Sequence, residues 1–274
     1  MMAGATAGAA IVGRTRVGIV TPDPQRAEHG IRFITDPAAA GAALLTGGYH
    51  TYGTWGLVPT SRPAVQPPKD ETPTVKIPGA REIPERRLTE ATGGPVFGMR
   101  TGSWEFRVKA RRRWAIVYSR VLNALQGREV RAILDDDRAH YYVGTVNVSK
   151  WASDPARSVI TLEYSLRPYK YEITSSIEDW LWSPFSFIDG VIRQYGELQV
   201  TASRTLTVIG SPMPAAPRIK ADAAGMTLTY NGTTYPLTKD VWFTDPALTL
   251  GDGEHTFVFT GTGKISIDYR GGKL

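Results

Sequence analysis

The chain has 274 residues and no cysteine, which removes disulfide scaffolds, thiolate metal sites and cysteine nucleophiles from consideration. Histidine is almost as scarce. His29, His50, His140 and His255 are far apart in sequence, and none belongs to the His-x-x-x-His spacing of a helical metal site. There is no nucleophile elbow and no phosphate-binding Gly-Lys loop. Gly261-Thr-Gly263 is followed by strand-like residues rather than a helix, so it reads as a hairpin turn and not as part of a dinucleotide fingerprint. No run of about 18 apolar residues occurs, so nothing reads as membrane-inserting. Met1 to Gly13 lacks both the basic start and the longer apolar stretch of a signal peptide. These absences point away from an enzyme, and no cofactor is expected.

What the sequence does contain is turn chemistry. With 28 glycines, 19 prolines and 10% aromatic residues but one long helical pattern, the composition predicts a mainly antiparallel β protein with one principal helix. The clearest piece of sheet is Arg128 to Tyr171. Arg128 to Leu134 alternates apolar and polar residues, Asp135-Asp-Asp137 breaks the run, and His140 to Trp151 returns as a second strand. Asp154-Pro155 marks a loop, and Ser158 to Tyr164 gives a third strand before Arg167-Pro-Tyr-Lys-Tyr171. A sheet of three strands needs a second layer. Trp114, Val117, Tyr118, Val121, Leu122 and Leu125 form a helical stripe that would supply it, with Gly127 placed to stop the helix.

The rest divides around this unit. Residues 1–45 mix Ala, Gly, Pro and scattered charge, and read as an N-terminal extension in which only Gly30 to Ile34 is strand-like. Residues 46–172 form a first domain. Within it Tyr49 to Val58 reads as strand, turn and strand, Thr74 to Pro78 as a short strand, and Glu82 to Gly94 as polar chain with one helical turn at most. Phe97 to Lys109 reads as two strands bent at Thr101-Gly102. Residues 173–196 form a connector, dense in aromatics from Trp180 to Phe187 and expected to be packed between two domains. Residues 197–274 are again all β and predict a sandwich. Asn231-Gly232 turns one hairpin, and Leu248 to Tyr269 supplies a second.

The net charge of +6 is concentrated in residues 99–131, where nine bases stand against two acids for a local charge of +7. Arg111, Arg112, Arg113, Arg128 and Arg131 are the candidate partner-facing bases. Such a patch attracts nucleic acid, acidic lipid or an acidic protein face, or is simply a solvated surface. Asp135, Asp136 and Asp137 have three readings: a hard-cation site, the acid and base of a glycosidase, or a solvated turn, which Asp favours for its side-chain bonds to the backbone. Trp104, Trp114, Tyr118, Tyr141 and Tyr142 lie beside the basic residues. Their spacing assigns Trp104, Trp114 and Tyr118 to core packing rather than to a stacking platform for single strands. Asn147-Val-Ser149 and Asn231-Gly-Thr233 match glycosylation sequons, too short a motif to decide anything alone.

Several motifs in fixed order resemble the distal tail (Dit) proteins of long-tailed, non-contractile bacteriophages. They are Tyr49-His-Thr-Tyr-Gly-Thr-Trp-Gly-Leu57, Ile77-Pro-Gly79, Leu88-Thr-Glu90, Leu122 to Gly127, Leu134 to Asp137 leading to Tyr141-Tyr142, Pro168-Tyr-Lys-Tyr171, Trp180 to Phe187, and Tyr269 to Leu274. Ser183 departs from the acidic residue expected there, and residues 1–45 have no counterpart. The resemblance implies a belt domain that closes a homohexameric ring and a C-terminal domain with a galectin-like β-sandwich. It implies a virion location at the distal end of the tail, after assembly in the host cytoplasm. The implied partners are the tail tube protein, a tail-associated hub or lysin protein, the tape measure protein and receptor-binding proteins, with transient passage of DNA through a central channel. The bases 111–113, 128 and 131 and the acids 135–137 are then candidate interface residues, the bases meeting acidic surface on a neighbour or on the tube. The alternative is a carbohydrate-binding module of a tail-tip adhesion device, with Tyr235 and Trp242 stacking on a sugar.

Overall fold

The computed structural model describes residues 29–75, 86–87, 94–109, 113–154, 156–188 and 190–274. Expectations that fall on residues 1–28, Ile77-Pro-Gly79, the end of the strand from Thr74, most of 82–94, Leu88-Thr-Glu90, Arg111-Arg112 and Pro155 lie outside them. The described chain is mainly β. In chain order the N-terminal elements are β1 (Ile31–Ile34), α1 (Ala42–Thr46), β2 (Tyr49–His50), α2 (Thr51–Trp55) and β3 (Leu57–Pro59), followed by a separate pair, β4 (Thr74–Val75) and β5 (Arg86–Arg87). Then come β6 (Arg100–Val108), α3 (Trp114–Leu125), β7 (Glu129–Leu134), β8 (His140–Ser153), β9 (Ser158–Leu166) and β10 (Lys170–Glu172).

β7, β8 and β9 pair antiparallel as their alternation requires, with Ala132 opposite Tyr142 and Val146 opposite Tyr164. They sit inside a larger sheet ordered β2-β1-β7-β8-β9-β6-β3, to which β10 adds beside the start of β8. Because strand side chains alternate between faces, this sheet is covered on both sides at one end. Ile31, Phe33, Val130, Ala132 and Val146 point into a core shared with Trp104, Phe106, Ile160, Leu162 and the α3 residues Val117, Val121 and Leu125. Ile34, Ile133, Tyr141 and Val143 point the other way, onto Leu44 of α1 and Ile173.

Four expectations need correction. The lead-in is not a loose extension throughout: β1 lies inside the sheet between β2 and β7, with Phe33 opposite both Tyr49 and Ala132. The turn expected between Tyr49 and Val58 is α2. His50 caps it by accepting from the Gly53 N–H at 3.0 Å, and Gly56 at φ +66° ends it. β6 is one continuous strand paired to β9 from Arg100 to Arg107, and Gly102 makes no bend. Its missing side chain leaves room for the Tyr164 phenol across the pair.

The fourth concerns the C-terminal unit. It contains β11 (Leu198–Val200), β12 (Ser203–Ile209), β13 (Arg218–Ala221), β14 (Thr227–Tyr230), β15 (Thr233–Pro236), β16 (Glu254–Thr260), β17 (Gly263–Asp268) and β18 (Gly272–Lys273). The expected second hairpin does not form. β16 belongs to a four-stranded sheet, β12-β16-β14-β15, and β17 to a three-stranded sheet, β11-β17-β13. The Gly261-Thr-Gly263 link, with both glycines at positive φ, carries the chain from one sheet to the other. Phe257 and Phe259 from one sheet and Ile265 and Ile267 from the other meet in a common core. The Asn231-Gly232 turn between β14 and β15 forms as expected, both residues having positive φ. β18 then leaves the unit and pairs with β10, so the chain end closes back onto the first sheet.

Phe33 tests whether β1 is part of the cooperative fold. It is fully buried, with its ring 6.3 Å from Trp55 and 6.1 Å from Trp104. Phe33→Ala should destabilise the chain by about 3–5 kcal/mol, read as a lower urea midpoint. An unchanged midpoint would place β1 outside the core.

Candidate assembly and docking sites

The acidic turn Asp135-Asp-Asp137 joins β7 to β8, where it collects cationic and neutral donors from across the fold. Asp135 accepts from the Gly30 N–H at 2.8 Å and lies 2.9 Å from His50 Nε2. Since His50 Nδ1 already accepts from Gly53, Nε2 is the protonated nitrogen and donates to Asp135. Asp136 bonds His29 at 2.6 Å and Arg62 at 2.8 Å. Asp137 bonds His140 at 2.7 Å and Lys170 at 2.5 Å. Burial alone would raise all three carboxyls, but these hydrogen bonds and nearby charges outweigh it and hold each below the usual carboxylate range, Asp137 furthest. Gly30 is required by this packing, because a Cβ there would come within 2.6 Å of the His50 ring. The three carboxylates thus turn to three different sets of partners. Among the described residues no His, Asp and Glu side chains group as metal ligands.

The candidate bases separate. Arg131 is committed within the chain: it donates to the carbonyls of Ala39 and Pro37 and lies over the Tyr141 ring at 5.6 Å. Arg100, from the same patch, is buried and donates to Pro168 and Gln66. Arg113, at the start of α3, and Arg128 are exposed and form no ion pair among the described residues. Arg111 and Arg112 lie outside those residues.

The connector is packed on one side only. At its start the Ser176 Oγ donates to the Ile267 carbonyl at 2.7 Å and accepts from the Tyr269 N–H at 2.9 Å. At its end Arg193 Nη1 reaches both carboxylate oxygens of Glu172 at 2.6 Å, while Nε and Nη2 donate to the carbonyls of Ile209 and Gly210. Between these anchors Trp180, Trp182, Phe185 and Phe187 pack on one another, with ring centroids 5.1–5.5 Å apart. Trp180, Leu181, Pro184 and Phe185 roof a cavity of about 350 Å³, whose floor includes His140, Ile173, Ile209, Pro212 and the loop of Asp252 and Glu254. The other side chains face solvent: Trp182 is 71% exposed, Phe187 67% and Ile188 99%.

Trp242 and Tyr235 do not form an open stacking face. Arg218 and Lys220 lie over the Trp242 ring at 5.1 and 5.4 Å, and Tyr235 packs against Phe243. A sugar approaching Trp242 meets two cations there.

Sequence reasoning did not find the histidine partners of the turn, since His29 and Asp136 are 107 residues apart and nothing in their spacing links them. Nor did it find Arg193, for which the only signal was a lone base after a long apolar connector.

No protein-family profile and no curated protein matches the chain in sequence. Among solved structures, the Dit protein (gp 19.1) of SPP1, described as a paradigm of the hub adsorption apparatus in phages infecting Gram-positive hosts, shares its fold. The likeness covers 89% of this chain and 99% of that one, with a TM-score of 0.53 and 12% sequence identity.

Two outcomes follow from the polar contacts. Depressed carboxyl pKa values mean stability that is fully present above the unfolded value of about 3.9 and is lost as pH falls through the lower folded values. Asp137→Asn should therefore cost about 2 kcal/mol at pH 7, with the difference from the parent shrinking as urea melts are repeated toward pH 2. A constant difference would mean the carboxylate charge is not what matters. Glu172→Gln leaves Arg193 buried without a counter-charge and should cost about 3–5 kcal/mol. A loss under about 1 kcal/mol would show the pair to be solvated.

Proposed function

We propose that this chain is a structural protein of a bacteriophage tail tip, a distal-tail hub whose copies close into a hexameric ring between the tail tube and the tip proteins. The observation that carries this reading is the extent of the likeness to SPP1 Dit. It covers 89% of this chain, more than either sheet system could supply alone, and 99% of the neighbour, whereas a shared β module would align over one unit alone. The ordered motifs from Tyr49 to the C-terminus support the same reading from the residues. In this proposal residues 46–172, together with β1, form the ring-closing belt, 173–196 the connector and 197–274 a galectin-like outer domain. The ring surrounds a channel for DNA in the virion, and its faces meet the tube protein, the tape measure protein and a tail-associated hub protein, with receptor-binding proteins further out. The role is architectural, and no residue is assigned to catalysis.

Such a chain has strong reason to assemble. A repeated head-to-tail contact hides apolar surface on every copy and closes on itself when the rotation between neighbours divides a full turn. Light scattering of the purified chain should give a species near 180 kDa, six times 30.0 kDa, seen in negative stain as a ring with an open centre. A chain that remains monomeric at high concentration and in the presence of the tube protein would overturn the proposal.

A further inference from the structure

The exposed aromatic ridge of the connector and the outer side of α3 each expose apolar side chains, and they stand near exposed charges of opposite sign. Trp182, Phe187 and Ile188 together leave on the order of 400 Å² of apolar surface in water, about half of what one partner contributes to a standard interface. Exposed acids stand near the connector. Asp179 directly precedes Trp180, and Asp252 and Glu254 line the cavity beneath the connector together with Arg193 and Lys273; none of the three acids forms an ion pair among the described residues.

The outer side of α3 has the opposite character. Arg113, Ile116 and Arg120 follow the spacing i, i+3, i+7, which places them on one side of the helix. All three are exposed, Ile116 by 52%, and neither arginine forms an ion pair among the described residues. A guanidinium of this stripe suits the face of an exposed indole as well as an exposed carboxylate.

The two surfaces stand at opposite ends of the longest strand. α3 meets the far end of β8, where Tyr118 stacks on Trp151 at 4.4 Å and Gln126 accepts from the Val148 N–H. The connector that carries the ridge roofs the cavity at the near end, beside His140. The twelve residues from His140 to Trp151 span roughly 35 Å, so one molecule cannot join its own two surfaces.

We infer that the connector ridge of one copy docks on the Arg113–Ile116–Arg120 side of α3 in the next copy, making a head-to-tail contact. This rests on the assembly proposed above and identifies the surfaces that carry it. Trp182, Phe187 and Ile188 cover Ile116, while Asp179, Asp252 and Glu254 face Arg113 and Arg120. Each copy presents one ridge and one helix, so the contact repeats from copy to copy.

The test uses the full chain and two variants confined to exposed side chains: Trp182→Ser with Ile188→Asp in the ridge, and Ile116→Glu with Arg120→Glu on the helix. Circular dichroism melts matching the parent confirm that each variant folds. Each variant alone should run as a 30.0 kDa monomer at concentrations where the parent is assembled, a weakening of at least 100-fold. An equimolar mixture should give a heterodimer near 60 kDa, twice 30.0 kDa, because one intact ridge and one intact helix remain to meet. Rings unchanged in both variants overturn the docking and leave the hub reading standing. A mixture that stays monomeric also overturns it. An oligomer that both variants disrupt but that has no open centre keeps this contact and overturns the hub reading. A parent chain that never assembles overturns both.

Discussion

The relation between the two β units depends on a guanidinium with almost no access to water. The Arg193 side chain is 5% exposed, and its donors are taken by Glu172 and by the carbonyls of Ile209 and Gly210. Withdrawing a charge this far costs several kcal/mol unless its geometry is nearly complete, and here it is complete in only one arrangement. Glu172 comes from the strand that edges the first sheet, and Ile209 and Gly210 come from the sandwich. The pair therefore fixes how the units meet more than it adds stability. Arg270 repeats the device, donating to the Glu172 and Ile173 carbonyls from the other side, and β18 seals the junction by pairing with β10.

With both ends of the connector fixed, at Ser176 and at Arg193, the residues between them have little freedom. The backbone must leave and return over a short span, and Pro184 within it resists any regular element. The aromatic side chains satisfy one another, but a cluster of four rings on a loop has no second layer to cover its outer face. The cavity beneath is lined by polar as well as apolar groups and does not draw Trp182 or Phe187 inward. The exposed ridge is thus a consequence of the junction and not a fault in packing, and it is the surface on which the head-to-tail contact inferred above rests. The edges of the first sheet are less suited to that role. β2 is two residues long, and β3 is three residues ending in Pro59, so neither offers a run of free backbone for another strand.

The parts of this structure legible in the sequence are those governed by local periodicity. Glu129 to Leu134, the α3 stripe with Gly127 after it, and the Asn231-Gly232 hairpin each follow from spacing and turn chemistry within a dozen residues. The parts that were not legible depend on distant partners. His50 reads as a strand residue until the acceptor role of its Nδ1 toward Gly53 shows it to be a helix cap, and its other nitrogen is fixed by Asp135, 85 positions away. Gly102 looks like a bend unless Tyr164 is known to lie across it. β16 and β17 look like a hairpin because alternation specifies a strand but not which sheet it joins. The three aspartates were visible as a turn, but not as the meeting point of His29, His50 and His140.

The same distinction changes what the basic patch means. A count over residues 99–131 treats its nine bases as equivalent, but the fold does not. Arg100 and Arg131 are turned inward onto carbonyls, and Lys109 donates to Tyr52. Among the described residues Arg107, Arg113, Arg120 and Arg128 remain in water, the last three on or beside α3. The acids show the converse pattern: the most concentrated run, at 135–137, is neutralised within the chain, while the scattered Asp179, Asp252 and Glu254 gather at the connector. Folding thus converts a sequence whose excess charge lies in one segment into a molecule with exposed bases on α3 at one end of β8 and exposed acids by the connector at the other, where Arg138 is also exposed. Identical copies of such a molecule repel when like ends meet and attract when unlike ends meet. The charge arrangement therefore disfavours a two-fold dimer joined through like ends and favours head-to-tail association, before any apolar contact is made.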